Sequence, residues 1–207
     1  MVGPTIFGLM GCANTLTSTL QTGFLREMVS RVIPVDPFDL VIFGGSGDLA
    51  RRKILPGLFR RFVSGQMPES AQIIGAARSD FDEVQYRALI KDAICSFGEI
   101  KASHPDLAPF LERLGYVRID VRGDGGWQVL EKKIRSDTVR AFYFSVGPSL
   151  FGDIAQRLRQ HKIALADSRI VVEKPFGRDL ISAQDLNNTL AGHFNENQIY
   201  RIDHYLG

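Results

Sequence analysis

The residues best suited to chemistry in this chain lie where a short apolar run breaks into glycine: Val41-Ile42-Phe43-Gly44-Gly45-Ser46-Gly47-Asp48-Leu49-Ala50. Gly45, Gly47 and Ala50 fall on a G-x-G-x-x-A spacing where a predicted strand meets a predicted helix. A turn without side chains lets backbone come close to a phosphate. The helix start behind it presents N–H groups with no intrahelical acceptor, together with the positive end of its dipole. Such a turn suits the pyrophosphate of a dinucleotide. Three glycines alone mark only a tight turn; the strand before them, the helix after them and the further strand–helix units make it a dinucleotide site.

The second predicted strand ends at Gly75-Ala76-Ala77-Arg78-Ser79. An acid at this place accepts the ribose 2′-hydroxyl of NAD, but Arg78 stands there instead. A guanidinium can hold a 2′-phosphate with two charge-assisted bonds, and the Ser79 hydroxyl can add a third. NADP is therefore expected in preference to NAD, with the neighbouring Asp80 arguing the other way.

For proton removal, the residues themselves point to His204, which lies between Asp203 and Tyr205 and titrates in the useful range. The other three histidines have plain structural readings. His104 precedes Pro105 in a polar connection, His161 follows a predicted helix, and His193 sits at a helix end where a protonated imidazole suits the dipole. Lys174 is either a solvated strand-end charge or part of a site. Arg51, Arg52 and Lys53 form a basic run near a helix start, solvated or phosphate-facing rather than a nucleic-acid site.

Elements able to position these groups follow from periodicity. Short β-branched or aromatic runs alternate with longer amphipathic stretches, which predicts βαβ units and a parallel sheet of the doubly wound, Rossmann-like α/β class. Strands are expected at 39–43, 72–77, 116–120, 141–146 and 169–173. Helices are expected at 48–63, interrupted or kinked by Pro56 and ended by Ser64-Gly65, and at 82–97, 127–135, 150–160 and 182–194. In the 82–97 helix, Val84, Ala88, Ile90 and Ile94 form the expected apolar stripe. The polar segment 98–109 reads as a connection with a short helix beyond it.

The chain has 207 residues, 44% apolar and 23% charged, which excludes disordered, collagenous and coiled-coil classes. With 25 basic and 23 acidic residues the net charge is +2, so no global field draws it to nucleic acid or anionic lipid. Cys12 and Cys95 are too few for a disulfide framework and have no metal-ligand spacing, which predicts a reducing, cytoplasmic setting and no metal. No apolar run approaches the ~20 residues of a membrane span. Residues 1–35 read as an unstructured extension. Leu9-Met10-Gly11-Cys12 is similar to a lipoprotein cleavage box but lacks a basic region before it, since the first Arg or Lys is Arg26. Met28 is an alternative start to Met1.

Three segments together resemble a known family. They are Gly44-Gly45-Ser46-Gly47-Asp48-Leu49-Ala50-Arg51-Arg52-Lys53, Glu173-Lys174-Pro175-Phe176-Gly177 and Arg201-Ile202-Asp203-His204-Tyr205-Leu206-Gly207. In this order and spacing they resemble the cofactor-binding half of glucose-6-phosphate dehydrogenase, over about Asp36 to Gly207. The resemblance implies that Gly44, Gly45, Ser46, Gly47, Asp48 and Leu49 wrap the pyrophosphate and that Arg78 holds the 2′-phosphate. It also implies that Lys174 sits between cofactor and sugar phosphate, and that His204 and Tyr205 bind the substrate phosphate. Asp203 would orient the catalytic histidine, a different residue beyond this segment, so the resemblance displaces His204 as the base. The strand end at Ser145 would pass beside the nicotinamide, although Gly147 before Pro148 departs from the commoner Ala-Pro or Pro-Pro form.

The implied reaction is hydride transfer from C1 of glucose 6-phosphate to NADP, yielding the lactone, as in the oxidative pentose phosphate pathway. Family members have a second, α+β domain and are roughly twice as long or more. The expectation is thus an N-terminal fragment of a homo-oligomeric enzyme, unable to turn over substrate alone. The alternative is an NADP-binding module without catalytic activity.

Overall fold

The computed structural model describes residues 35–174 and 179–202. Among these, six strands form one sheet in the order β3-β2-β1-β4-β5-β6, every neighbouring pair parallel. They are β1 (Phe38–Phe43), β2 (Gln72–Ala77), β3 (Leu114–Arg118), β4 (Val139–Phe144), β5 (Arg169–Glu173) and β6 (Ile199–Ile202). The order runs outward in both directions from β1 and β4, so the crossovers joining β1, β2 and β3 lie on one face and those joining β4, β5 and β6 on the other. Strand β1 shows why its sequence is an unbroken apolar run. Leu40 and Ile42 enter one layer while Val41 and Phe43 enter the other, and all four are buried.

The helices are α1 (Leu55–Val63), α2 (Glu83–Phe97), α3 (Leu107–Glu112), α4 (Trp127–Lys133), α5 (Phe151–Gln160) and α6 (Leu180–Ala191). Leu55, Phe59, Tyr86, Ile90 and Phe110 from α1, α2 and α3 cover one face. Trp127, Leu130, Phe151, Ile154, Leu158 and Leu190 from α4, α5 and α6 cover the other. At ~1.5–3 kcal/mol for each large side chain removed from water, these two layers drive the fold. Beneath them Asp39, fully buried at the start of β1, accepts from the Arg135 backbone N–H at 2.7 Å and from Arg135 Nε at 2.9 Å. That bond ties β1 to the segment leading into β4.

Several expected elements are shifted, each for a physical reason. The helix beginning at Asp48 widens over Ala50–Ile54, where the Leu55 N–H reaches back five residues to Ala50 O. Pro56 follows at once; it cannot donate to the carbonyl four residues earlier, and its ring would crowd that carbonyl, so the wide turn carries the helix past it. In α2 the buried residues are Tyr86, Ile90, Ala93 and Ile94, whereas Val84 and Ala88 are exposed. The amphipathic Tyr86, not the small aliphatics, leads the stripe. Helix α3 begins inside the stretch expected as connection, because Pro109 occupies its first turn, where a missing N–H costs nothing. Strand β3 starts two residues earlier than expected: Gly115 hides its beginning, and the Lys133 side chain fills the space over that glycine. Strand β4 likewise begins at Val139, whose N–H donates to Pro37 O at 3.1 Å. The four-residue β6 was not expected from periodicity. Helix α6 begins at Leu180 because the Asp179 carboxylate caps it, accepting from the Ser182 N–H at 2.8 Å.

No helix among the described residues is long and apolar enough to cross a membrane. The expected extension over residues 1–35 lies, apart from Val35, outside the described residues.

Candidate functional site

In a doubly wound sheet the crevice opens where the strand order reverses, beyond the carboxyl ends of the two central strands. Here those are β1 and β4, and their ends carry Gly44 and Ser145. Gly44 has φ +83°, a left-handed conformation, and a Cβ there would run into the Ser145 carbonyl oxygen. Gly45 meets a different limit, since its Cβ would stand 2.6 Å from the Gly75 Cα on β2. The turn is pinned by its own backbone. Gly44 N–H donates to Ala76 O at 2.8 Å, Gly47 N–H to Gly44 O at 2.8 Å, and Arg51 N–H to Gly47 O at 3.1 Å, which launches the helix. The first-turn N–H groups of that helix have no intrahelical acceptor.

A cleft of about 430 Å³ lies at this turn, lined by Gly44, Ser46, Gly47, Ala76, Ala77, Arg78, Ser79, Ile119, Asp120, Val121, Arg122, Val146, Ser149 and Leu150. It combines apolar walls with a few convergent polar groups, the usual make-up of a ligand pocket. Gly47 contributes bare backbone to the wall, and a Cβ there would stand 3.0 Å from Gly44 O. Arg78 is exposed on the wall. The turn carrying it is held from three sides. Ser46 Oγ and Ser79 Oγ are 3.0 Å apart, and the Tyr116 hydroxyl donates to Ala77 O at 3.1 Å and Ser79 O at 2.7 Å. Burial pushes the Tyr116 phenol above its ordinary range, so it remains a donor.

The structure thus brings Gly44, Ser46, Gly47 and Arg78 together around one cleft, with Gly45 buried behind them. Asp48 and Leu49 stand outside the lining. The Asp48 carboxylate accepts from Arg52 Nε at 2.6 Å and faces Arg51 at 3.9 Å, so part of the basic run is internally paired. Ser145 lies next to the cleft; its Oγ is buried and has no hydrogen-bond partner among the described residues. Its neighbour Val146 forms part of the wall. At the end of β5, Lys174 is exposed and its N–H donates to Ile202 O at 3.2 Å, which joins β5 to β6. The preceding Glu173 carboxylate accepts from the Tyr143 hydroxyl. Burial and this acidic partner raise the Tyr143 phenol well beyond its ordinary value.

Asp203, His204 and Tyr205, with Pro175, Phe176 and Gly177, lie outside the described residues. Two groups were not singled out from sequence, Tyr86 and Tyr116. Both are aromatic residues whose hydroxyls reach the glycine turn and the Arg78 turn. Tyr86 donates to Gly45 O at 3.1 Å, a contact across 41 residues that no local pattern announces.

Comparison with known proteins agrees with this geometry. The family model described as glucose-6-phosphate dehydrogenase, NAD binding domain, matches residues 41–207. The chain is 47% identical over 185 residues to the glucose-6-phosphate 1-dehydrogenase of Rhizobium meliloti (strain 1021), covering 87% of this chain and 37% of that protein. It is 43% identical over 178 residues to that of Gluconobacter oxydans (strain 621H), covering 84% and 36%. The crystal structure of glucose-6-phosphate 1-dehydrogenase from Mycobacterium avium matches with a TM-score of 0.74 at 37% identity, over 84% of this chain and 37% of that one. A glucose-6-phosphate dehydrogenase in complex with its substrate glucose-6-phosphate matches with a TM-score of 0.73 at 31% identity, over 84% and 38%. The chain spans little more than a third of the length of these relatives. With the six-stranded doubly wound sheet, the glycine turn at its switch point and this match over most of its length, the chain belongs to the glucose-6-phosphate dehydrogenase family and carries that family's dinucleotide-binding domain.

Proposed function

We propose that this chain supplies the NADP site of a glucose-6-phosphate 1-dehydrogenase, serving oxidation of glucose 6-phosphate at C1 to the lactone in the cytoplasm. The observation that carries the cofactor assignment is Arg78 standing on the cleft wall, at the end of β2, where an acid would select NAD. Gly44, Gly45, Ser46 and Gly47 cradle the pyrophosphate, and the helix start at Asp48 and Leu49 adds N–H donors and dipole. Arg78 and Ser79 hold the 2′-phosphate. Ser145 and Val146 shape the wall at the nicotinamide end. When bound, the nicotinamide accepts a hydride from the sugar.

For the substrate, the family relationship supports Lys174 as a contact to both cofactor and sugar phosphate, and His204 and Tyr205 as phosphate ligands. Asp203 is proposed to orient the base. These residues fix the sugar's position; positioning of this kind lowers a barrier by removing the entropy of bringing two reactants together. The named relative bound to glucose-6-phosphate supports the same substrate here.

Titration of the 207-residue chain with NADPH, followed by the fluorescence of the reduced nicotinamide, tests the cofactor site. Saturable binding is expected, and Gly47→Val should abolish it in a variant whose circular dichroism is unchanged. A Cβ at Gly47 would already lie 3.0 Å from Gly44 O, and the branched side chain would occupy the cleft. Undiminished binding in the folded variant would reduce the glycine segment to a turn. A steady-state assay with glucose 6-phosphate and NADP on the same chain separates cofactor binding without turnover, the expected result, from a self-sufficient enzyme.

A further inference from the structure

Arg78 is followed two residues later by Asp80, an acid near a site meant for a phosphate. We propose that Arg118 determines cofactor specificity by holding Asp80 away from the cleft, an inference that rests on the NADP reading above and deepens it.

The geometry starts from strand register. Arg118, the last residue of β3, pairs with Ala77, the last residue of β2. Along β3 the side chains alternate: Leu114 and Tyr116 enter the layer of α1, α2 and α3, while Val117 enters the layer of α4, α5 and α6. Arg118 therefore follows Tyr116 to the first side. The cleft lies beyond the strand ends, where Ile119 and Val121 of the second layer line it together with Asp120. Arg118 Nη1 lies 3.0 Å from Asp80 Oδ1, and neither residue belongs to the cleft lining. The Arg78-Ser79 turn is fixed by Tyr116 and Ser46, and Arg78 and Ser79 line the cleft.

The chemistry of an unrestrained Asp80 would differ in sign for the two cofactors. A carboxylate swung toward the cleft would repel a 2′-phosphate and accept a hydrogen bond from a 2′-hydroxyl. Arg118 pairs that carboxylate outside the cleft lining, so it favours NADP without touching it. Arg118 is thus a positioning residue, acting through Asp80. Both side chains are well exposed, at 62% and 83%, so the effect is a few-fold and weakens with salt.

The test is a binding cycle at low salt: dissociation constants for NADPH and NADH on the unsubstituted chain, Arg118→Ala, Asp80→Asn and the double variant, with Arg78→Ala in parallel. Arg118→Ala should lower NADPH-over-NADH selectivity by ~3-fold or more, weakening NADPH and tightening NADH, while Asp80→Asn alone changes it less than about twofold. The double variant should return to the unsubstituted ratio. Unchanged selectivity in Arg118→Ala overturns the inference. So does a double variant that keeps the full loss, because Arg118 would then act on the phosphate directly. If the unsubstituted chain shows no NADPH preference, or if Arg78→Ala leaves one intact, the NADP reading itself fails and this inference with it. A preference that depends on Arg78 but not on Arg118 leaves that reading standing and defeats only this one.

Discussion

The Tyr86 hydroxyl donates a 3.1 Å hydrogen bond to the Gly45 carbonyl, while its ring occupies the space that a side chain at Gly75 would need. One residue of α2 therefore fixes both the glycine turn and the middle of β2. Tyr86 is completely buried, and burial pushes its phenol far above the ordinary range, which keeps the hydroxyl protonated as a donor.

Tyr86→Phe removes this donor and leaves a buried carbonyl without it. A loss of ~1–2 kcal/mol in stability is expected by chemical denaturation, with a smaller weakening of NADPH binding as the turn loosens. A variant unchanged in both measurements would show that the bond does not organise the turn.

Gly44→Ala meets both a left-handed backbone and the Ser145 carbonyl, so a destabilisation of at least ~2 kcal/mol is expected. Gly147→Ala is the control: its φ is −62°, nothing lies within 4 Å of the new Cβ, and a change below ~0.5 kcal/mol is expected. Thermal or denaturant midpoints for the two variants give the comparison directly, and similar midpoints would contradict it.

The Lys133 ammonium bonds the Glu83 carboxylate and holds it below its ordinary value of 4.5, against the opposing effect of partial burial. A lowered folded pKa means that the unfolded chain binds the proton more readily. The stability is therefore present above that ordinary value and is lost as pH falls through the lowered one. Lys133→Met should be less stable at neutral pH by under ~1 kcal/mol, since Glu83 is partly exposed, and the gap should close in acid. A gap independent of pH would mean that Lys133 matters only for its packing over Gly115.

The parts of this site carried by local pattern are legible in the sequence alone. The glycine spacing sits on a strand–helix junction because β1 is a continuous apolar run, and Arg78 is adjacent to the end of an equally apolar β2. What the sequence did not reveal depends on distant partners. Tyr86 and Tyr116 look like ordinary core aromatics until the helix and strand that bear them are placed beside the turns. Asp39, at the head of β1, gives no local hint that Arg135 meets it across 96 residues. The four residues of β6 are too short to establish a period, and only pairing with β5 defines them. Position in the sheet, rather than residue type, decides these cases.

The most direct test of the central assignment is the dissociation constant of the chain for NADP and for NAD, measured by calorimetry with and without Arg78→Ala. A charged hydrogen-bonded contact contributes ~1.5–3 kcal/mol, so the substitution should weaken NADP about tenfold or more. Binding of NAD, which has no 2′-phosphate, should stay within about twofold on the same scale. An equal loss for both cofactors, or no preference for NADP in the unsubstituted chain, would contradict the assignment of this cleft as an NADP site.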